Sequence, residues 1–598
     1  MMNDSENRVY ALEREIASLP AGSITTKKVK NGVYYYHRVT VNGKRKETYI
    51  DSEKALELKA QIEKRKTLEK ELKGLKAALP KEARKNAPQK NDAEPFHTYV
   101  RIGDSLKRYA EQVKRYKKRH CFAKLKEFIY DRTTEKVMIL YGLRRTGKTT
   151  LIRQVIADMR EEELQKAVFI QIKSTDTLAD VNADLKRLES AGYQYVFMDE
   201  VTLMQDFIEG AALFSDIFAA SGMKIVLSGT DSLGFLFSED EQLFDRCVLL
   251  HTTFIPYREF ESVLGLKGID EYIRYGGTMS LSGVDYNENS SFASAKKTGE
   301  YIDSAIAKNI QHSLKCYQNG EHFRSLRELY DRHELTGAIN RVIEDMNHRF
   351  AVETLTRTFE SNDLAISARN LRRDRSRPND ILDRVDIPAV TAHLKEALEI
   401  LNKEEQRVAI HDAHVSEIRE YLKLLDLVMD IDVNHIPYTG QKDTVSVITQ
   451  PGMRYVQAEE LVQSLLSDAV FAELDIVERN AVFERIRSEI KGRIMEEIVL
   501  LETKLAKPDM QVFKLQFAIG EFDMVVCNPM TLTCKIYEIK HSTEATAEQY
   551  RHLTDAQKCA ETERQYGAIT GKYVIYRGEP RSENGVEYIN VEEYLRDL

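Results

Sequence analysis

VMILYGLRRTGKTTLIRQVIADM, residues 137–159, decides how the centre of this chain is read. Five apolar residues with β-branched and aromatic character form a short strand, and TLIRQVIADM has the 3.6-residue apolar period of a helix. Between them stands Gly142-Leu143-Arg144-Arg145-Thr146-Gly147-Lys148-Thr149, the Gly-x-x-x-x-Gly-Lys-Thr spacing in its strand–loop–helix setting. Gly142 and Gly147 let the backbone curl so that successive N–H groups face phosphate oxygens, and the positive end of the following helix adds to the attraction. Lys148 supplies an ammonium for the outer phosphates, and Thr149 offers a hydroxyl to Mg²⁺. The spacing predicts an ATP- and Mg²⁺-binding loop with Gly142, Arg145, Thr146, Gly147, Lys148, Thr149 and Thr150 around the nucleotide.

Outward from this loop, AVFIQI, YVFMDE and KIVLSG repeat the pattern of short apolar strands separated by helix-length segments. Such alternation predicts a parallel sheet with crossover helices. Tyr195–Glu200 ends in two carboxylates, of which Asp199 is expected to order Mg²⁺ and Glu200 to polarise the attacking water. The strand from Lys224 delivers Ser228, Thr230 and Asp231 to the edge where open parallel sheets bind ligands, and Thr230 or Asp231 is the candidate γ-phosphate sensor. Arg246 is the candidate arginine finger, with an ordinary surface ion pair as its alternative.

The whole chain has 598 residues with Lys+Arg 87 and Asp+Glu 95, a net charge of −8. That length implies about four domains, and the balance is that of ordinary globular proteins rather than disorder. Six cysteines without a Cys-x-x-Cys pair exclude a disulfide scaffold or zinc ribbon. The first residues are charged, and no run of about 18 apolar residues occurs, so a cytoplasmic chain without membrane segments is expected. Residues 1–79 read as a basic antiparallel sheet (23–50, turn at Asn42-Gly43) followed by a charged amphipathic helix, and 80–99 as a linker. Residues 100–265 read as the ATPase core and 266–410 as a helical lid with a basic insert at 368–380. Residues 411–480 have the pattern of a winged helix, and 481–598 that of a second α/β domain.

In that last domain, LQFAIGEFDMVV (515–526) and LTCKIYEIKH (532–541) are two apolar stretches about the turn signal Asn528-Pro529. A hairpin there sets Asp523 opposite Glu538, and a period of two puts Glu538 and Lys540 on one face. This acid–acid–lysine set is a candidate Mg²⁺ site for phosphodiester attack, with Asp523 and Glu538 as metal ligands and Lys540 beside them. Glu496 and Gln549 are further candidates. Lys27, Lys28, Lys30, Arg38, Lys44, Arg45 and Lys46 interleave with Tyr34, Tyr35 and Tyr36, a second basic cluster spans Lys114 to Arg119, and the insert at 368–380 is a third. Together they point to DNA as a partner.

GLRRTGKTTL (142–151), FMDEV (197–201), LSGTDS (227–232), PYREF (256–260), YIRYGG (272–277) and TQPGMRY (449–455) resemble a family of prokaryotic P-loop ATPases of the AAA+ superfamily with a carboxy-terminal restriction-endonuclease-like domain. The resemblance covers about residues 115–598. It implies ATP hydrolysis, Asp523, Glu538 and Lys540 as the nuclease-type signature, Glu496 as its helix glutamate, and a place in mobile-element biology or antiphage defence. The chain departs from the family at Thr278-Met279, where a proline is usual, and at Thr230-Asp231, where two serines are frequent. The amino-terminal sheet faintly resembles the arm-binding sheets of phage integrases. Two other readings remain open: a nucleotide-regulated binding switch with a catalytically inactive nuclease fold, acting on DNA or a protein partner and possible as an oligomer, and a phosphoryl transferase.

Overall fold

The computed structural model describes residues 23–29, 32–41, 44–50, parts of 55–70, 96–131, 135–204, 206–230, 243, 245–277, 302–307, 310, 323–360, 410–438, 440, 443–466 and 476–598. The chain divides into two units, Met1–Pro95 and Phe96–Leu598. In the first, β1 (Ser23–Val29), β2 (Gly32–Val41) and β3 (Lys44–Ile50) form an antiparallel sheet in sequence order. Its register pairs Lys27 with Tyr34 and Arg38 with Glu47. The turn Asn42-Gly43 lies outside the described residues, as do Lys30 and the insert at 368–380.

The expected linker to residue 99 ends sooner. Tyr99–Arg101 is strand β4, antiparallel to β6 (Ala167–Gln171). The buried Asp184 carboxylate accepts the N–H groups of His97 and Thr98 at 3.0 and 2.8 Å, anchoring this segment. With β5 (Val137–Tyr141), β7 (Tyr195–Asp199), β8 (Lys224–Gly229) and β9 (Cys247–His251), the sheet runs β4-β6-β7-β8-β5-β9, parallel except at β4. β4 and β9 are additions to the four strands read from sequence. Val137, Ile139, Val168, Ile170, Val196 and Met198 bury one face, while Met138, Leu140, Phe169 and Phe197 bury the other. This explains the nearly continuous apolar runs, since a parallel sheet is covered on both sides.

The helices Arg324–Asp331, Leu335–Glu360 and Asp412–Leu424 share one apolar cluster, into which Leu143 of the phosphate loop is also packed. Glu417 accepts the N–H groups of Ser325 and Leu326, tying the helix after residue 411 to the preceding helical region.

The expectation of a separate winged helix at 411–480 is corrected by pairing. β10 (Val428–Ile436) and β11 (Asp443–Ile448) do pair antiparallel, but β10 also runs parallel to β12 (Gln511–Phe517), with Asp432 opposite Phe513. They thereby join an eight-stranded sheet β11-β10-β12-β13-β14-β15-β17-β16, completed by β13 (Glu521–Asn528), β14 (Thr533–Lys540), β15 (Ala568–Tyr576), β16 (Arg581–Glu583) and β17 (Val586–Asn590). The sheet crosses the expected boundary at 480. Residues 515–526 are not one strand either: Gly520, at φ +82°, turns the chain between β12 and β13, where Phe517 N–H meets the Gly520 carbonyl at 2.9 Å.

The 31-residue helix Ile476–Ala506 lies over this sheet, and Ile494, Ile498 and Leu501 share a core with Tyr257 at the end of the ATPase region and with Tyr272 and Ile273 just beyond it. Within that core, the Glu502 carboxylate accepts the Tyr257 N–H at 2.8 Å. Burial pushes Glu502 up to about 7. Its folded pKa exceeds its unfolded value, so its contribution to stability is present at low pH and lost as pH rises through 7. Between the ordinary 4.5 and 7, at about 1.4 kcal/mol per pH unit, the loss is on the order of 3 kcal/mol. Glu502→Gln is expected to flatten that dependence in denaturant melts at pH 5.5 and 8.5, and an unchanged slope would refute it.

Candidate functional site

The phosphate loop is shaped by two glycines and supported from below. Gly142 has φ +136°, and a Cβ there would lie 2.3 Å from the Thr252 carbonyl, so no side chain fits. Gly147 (φ +92°) and Arg145 (φ +68°) are also left-handed. Thr146 is fully buried: its hydroxyl donates to the Leu143 carbonyl at 2.8 Å and meets the Thr252 hydroxyl at 2.9 Å. Its side chain therefore holds the loop's shape rather than facing the nucleotide. A positively charged residue does the same from outside the motif. Buried Arg119 donates to the Thr146 carbonyl at 2.8 Å and the Thr253 carbonyl at 3.2 Å, while pairing with Glu259.

Lys148 is buried, with its ammonium 2.7 Å from the carbonyl oxygens of Gly142 and Leu143. Burial pushes it down to about 8, against the pull of Glu200 and Asp199. The Thr149 hydroxyl donates to Asp199 Oδ2 at 2.8 Å, and the Ser228 hydroxyl donates to Asp199 Oδ1. Burial, then the neighbouring Glu200, raises the Asp199 carboxyl, a cost that a bound cation would reverse. Glu200 itself stands in the left-handed region at φ +60°, and Thr230 donates to its Oε2 at 3.2 Å. A non-glycine residue held there is strained, and such strain gathers at functional sites.

These groups face a cleft of about 580 Å³. Arg144, Arg145, Gly147, Lys148, Thr149, Thr150, Glu200 and Thr230 line its polar side, while Val113, Tyr116, Val263 and Leu264 form an apolar wall. Hard oxygen donors at Thr149 and Asp199 suit Mg²⁺. The apolar wall suits a base.

Arg246 is not brought to this cleft. Its carbonyl accepts the Val137 N–H at the amino end of β5, whereas the loop leaves the carboxyl end, roughly 16 Å along a five-residue strand. Its guanidinium pairs with Asp216 at 3.1 Å. Asp231 lies outside the described residues. In the basic segment 114–119, Lys117 lines the cleft, Lys118 pairs with Asp158 and Arg119 is buried, while Lys114 and Arg115 stay exposed. Arg119 could not be singled out by sequence, because nothing in a run of lysines and arginines says which one turns inward.

In the carboxy-terminal sheet, the β13–β14 register of Met524 opposite Tyr537, continued by one position, sets Asp523 against Glu538. Both are buried, and the Lys540 ammonium bridges them at 2.9 and 2.7 Å. Asp523 Oδ2 also accepts the Ile539 N–H at 2.7 Å. Burial raises both carboxyls, but the ammonium groups of Lys540 and Lys514 outweigh it at Asp523 and hold it at about 2, whereas Glu538, beside the Asp523 charge, stays well above the usual range. Glu538 Oε1 has no hydrogen-bond partner among the described residues. Glu496 is engaged by Lys514 and, at 2.8 Å, by Arg493. Gln549 accepts the Thr546 N–H and donates to the Glu544 carbonyl, a local cap that does not enter the cluster. Among the described residues, no group of three or more His, Cys, Asp or Glu gathers as a metal site, and no helix is long and apolar enough to cross a membrane.

Comparison with known proteins agrees with the first of these sites. Residues 134–261 match the AAA domain family and residues 2–60 a domain of unknown function, DUF6788. An uncharacterized ATP-binding protein of Methanocaldococcus jannaschii is 22% identical over 335 residues, covering 51% of this chain and 82% of the relative. Among solved structures, S. cerevisiae Hsp104 bound to casein is 14% identical with a TM-score of 0.24, over 47% of this chain and 52% of that one. The Aeropyrum pernix ORC1 protein in complex with DNA is 14% identical with a TM-score of 0.21, over 59% and 93%. The chain thus spans about half the length of the Hsp104 chain it matches. With the phosphate loop, the Asp199 carboxylate and the family match falling on the same residues, this chain carries an AAA-type P-loop ATP-binding domain at 134–261.

Proposed function

We propose that this chain hydrolyses ATP in its central domain and associates with DNA, with the Asp523–Glu538–Lys540 cluster as a metal-dependent nuclease-like centre. The observation that carries hydrolysis is the placement of two adjacent carboxylates with different partners: buried Asp199 on the hydroxyl of Thr149, and Glu200 on the hydroxyl of Thr230, with Thr149, Glu200 and Thr230 all lining the cleft. Lys148 exchanges its two carbonyl partners for phosphate oxygens, while Thr149 and Asp199 would hold Mg²⁺, which neutralises charge on the phosphates when bound. Glu200 orients water and takes its proton as the γ-phosphoryl group leaves ADP.

For cleavage of a phosphodiester, Asp523 and Glu538 would hold the cation and Lys540 would stabilise the developing charge. Support for DNA comes from the basic and aromatic β1–β3 sheet. A second reading, the nucleotide-regulated binding switch with an inactive nuclease fold, is favoured by Lys540 already bridging both carboxylates. One experiment separates them: ATP turnover and plasmid integrity measured in the same tube, with and without DNA, for the parent and for Lys148→Ala, Glu538→Ala and Lys540→Ala. Nicking with Mg²⁺ or Mn²⁺ that falls at least about a hundredfold in Lys540→Ala is the expected result. Equal nicking by that variant points to a contaminant and removes the nuclease reading.

A further inference from the structure

Outside both sites, three basic side chains from three separate elements converge on one carboxylate. Asp270, in the helix Ile269–Tyr275, lies 2.6 Å from Arg577, 3.1 Å from His541 and 3.2 Å from Lys491. Lys491 comes from the long helix Ile476–Ala506, His541 follows the last residue of β14, and Arg577 follows the last residue of β15.

Two permanent cations thus face one anion, an excess of positive charge that a structural ion pair does not need. Among the described residues, neither Lys491 nor Arg577 pairs with another carboxylate. The side chains of Lys491, Arg577 and Asp270 keep 24, 29 and 33% of their surface exposed, so solvent reaches the group. The His541 side chain keeps 7% of its surface exposed, and its Nδ1 has no hydrogen-bond partner among the described residues. The group sits at the carboxyl ends of the parallel strands β14 and β15, the edge at which open α/β sheets take ligands.

We propose that Lys491, His541 and Arg577 form a seat for a backbone phosphate of DNA, one residue past Lys540, and that Asp270 is the internal anion filling that seat in the free protein. A guanidinium fork and an ammonium are the groups that grip phosphate oxygens. The Arg577 backbone is fixed for this task by hydrogen bonds from its N–H to Ser542 O at 2.9 Å and from Asn590 to its carbonyl at 3.4 Å. The hydrogen bond from His541, with the Lys491 and Arg577 charges, holds the Asp270 carboxyl well below the usual carboxylate range despite its partial burial. Asp270 is therefore a full anion that a phosphate must displace. Exchange requires only a side-chain rotation, because Tyr272 and Ile273 hold the helix in the core and Glu592 accepts the Ile269 N–H at 3.0 Å. The effect of the seat on cleavage rests on the nuclease reading above, but its capture of phosphate does not.

The test is anisotropy of a short fluorescein-labelled DNA duplex with the full chain in EDTA, where no cleavage intrudes. Asp270→Asn is expected to tighten binding about tenfold, Asp270→Asn/Arg577→Ala to return it to the parent value, and inorganic phosphate to compete only weakly. No gain in a variant that melts like the parent overturns the seat. Competition by inorganic phosphate as strong as by unlabelled duplex assigns the seat to free phosphate and overturns the DNA assignment. Should Asp270→Asn fail to fold, acetylation of Lys491 in the parent decides: protection by saturating duplex upholds the proposal, and equal labelling with and without it overturns it. Glu538→Ala separates the two readings, since tighter binding in Asp270→Asn without cleavage by any protein, the parent included, keeps the seat and removes the nuclease. Cleavage that Glu538→Ala abolishes, with no gain from Asp270→Asn, does the reverse.

Discussion

Lys148→Ala is expected to weaken Mg-ATP binding by at least about two orders of magnitude in calorimetry, because two or more charge-assisted hydrogen bonds to phosphate, each worth roughly 1.5–3 kcal/mol, are lost together. The fold should survive. The ammonium is held by two loop carbonyls among the described residues, and its removal relieves a buried charge. The pH dependence of affinity gives a second readout. Because burial holds Lys148 at about 8, the cationic form that grips phosphate is complete below that pH and is lost as pH rises through it. Affinity in the parent should therefore fall above pH 8, by up to about tenfold per unit, while Lys148→Ala should show no such decline. Unchanged affinity in the variant would refute the loop's assignment.

Glu200→Gln is expected to do the opposite to binding and to turnover. The amide keeps the size of the side chain and can still accept the Thr230 hydroxyl, so Mg-ATP affinity should stay within a few-fold of the parent. It cannot take a proton from water, and the loss of a general base typically slows chemistry by about 10²–10⁴. Free phosphate release measured at saturating ATP is the direct check. Retained turnover would move the water-orienting role elsewhere. Appearance of a phosphorylated acceptor in the parent would favour transfer over hydrolysis.

The two sites were legible to different depths. Gly142, Gly147 and Lys148 could be placed because the loop's demands are local: left-handed backbone, close approach to Thr252, and a following helix. The pairing of Asp523 with Glu538 followed from a turn at Asn528 and a period of two, again within about fifteen residues. The motif places Thr146 beside the nucleotide, yet its hydroxyl is spent on Leu143 and Thr252. Arg246 had the right residue type, but β9 pairs alongside β5 in parallel and leaves the arginine at the far end of the sheet. In both cases the side chain's direction depended on a strand that the local pattern did not reveal.

The amino-acid order alone determined where a phosphate loop must form and which carboxylates face one another across a hairpin, since turn chemistry, residue period and backbone sterics act over a few neighbouring positions. Only the tertiary structure decided that β10 joins β12 across some eighty residues, that Arg119 rather than its neighbours turns under the loop, and that Asp270 meets Lys491, His541 and Arg577. Those choices are made by the packing of distant segments and by competition among many similar charges for the same few partners, and neither leaves a period or a spacing in the chain.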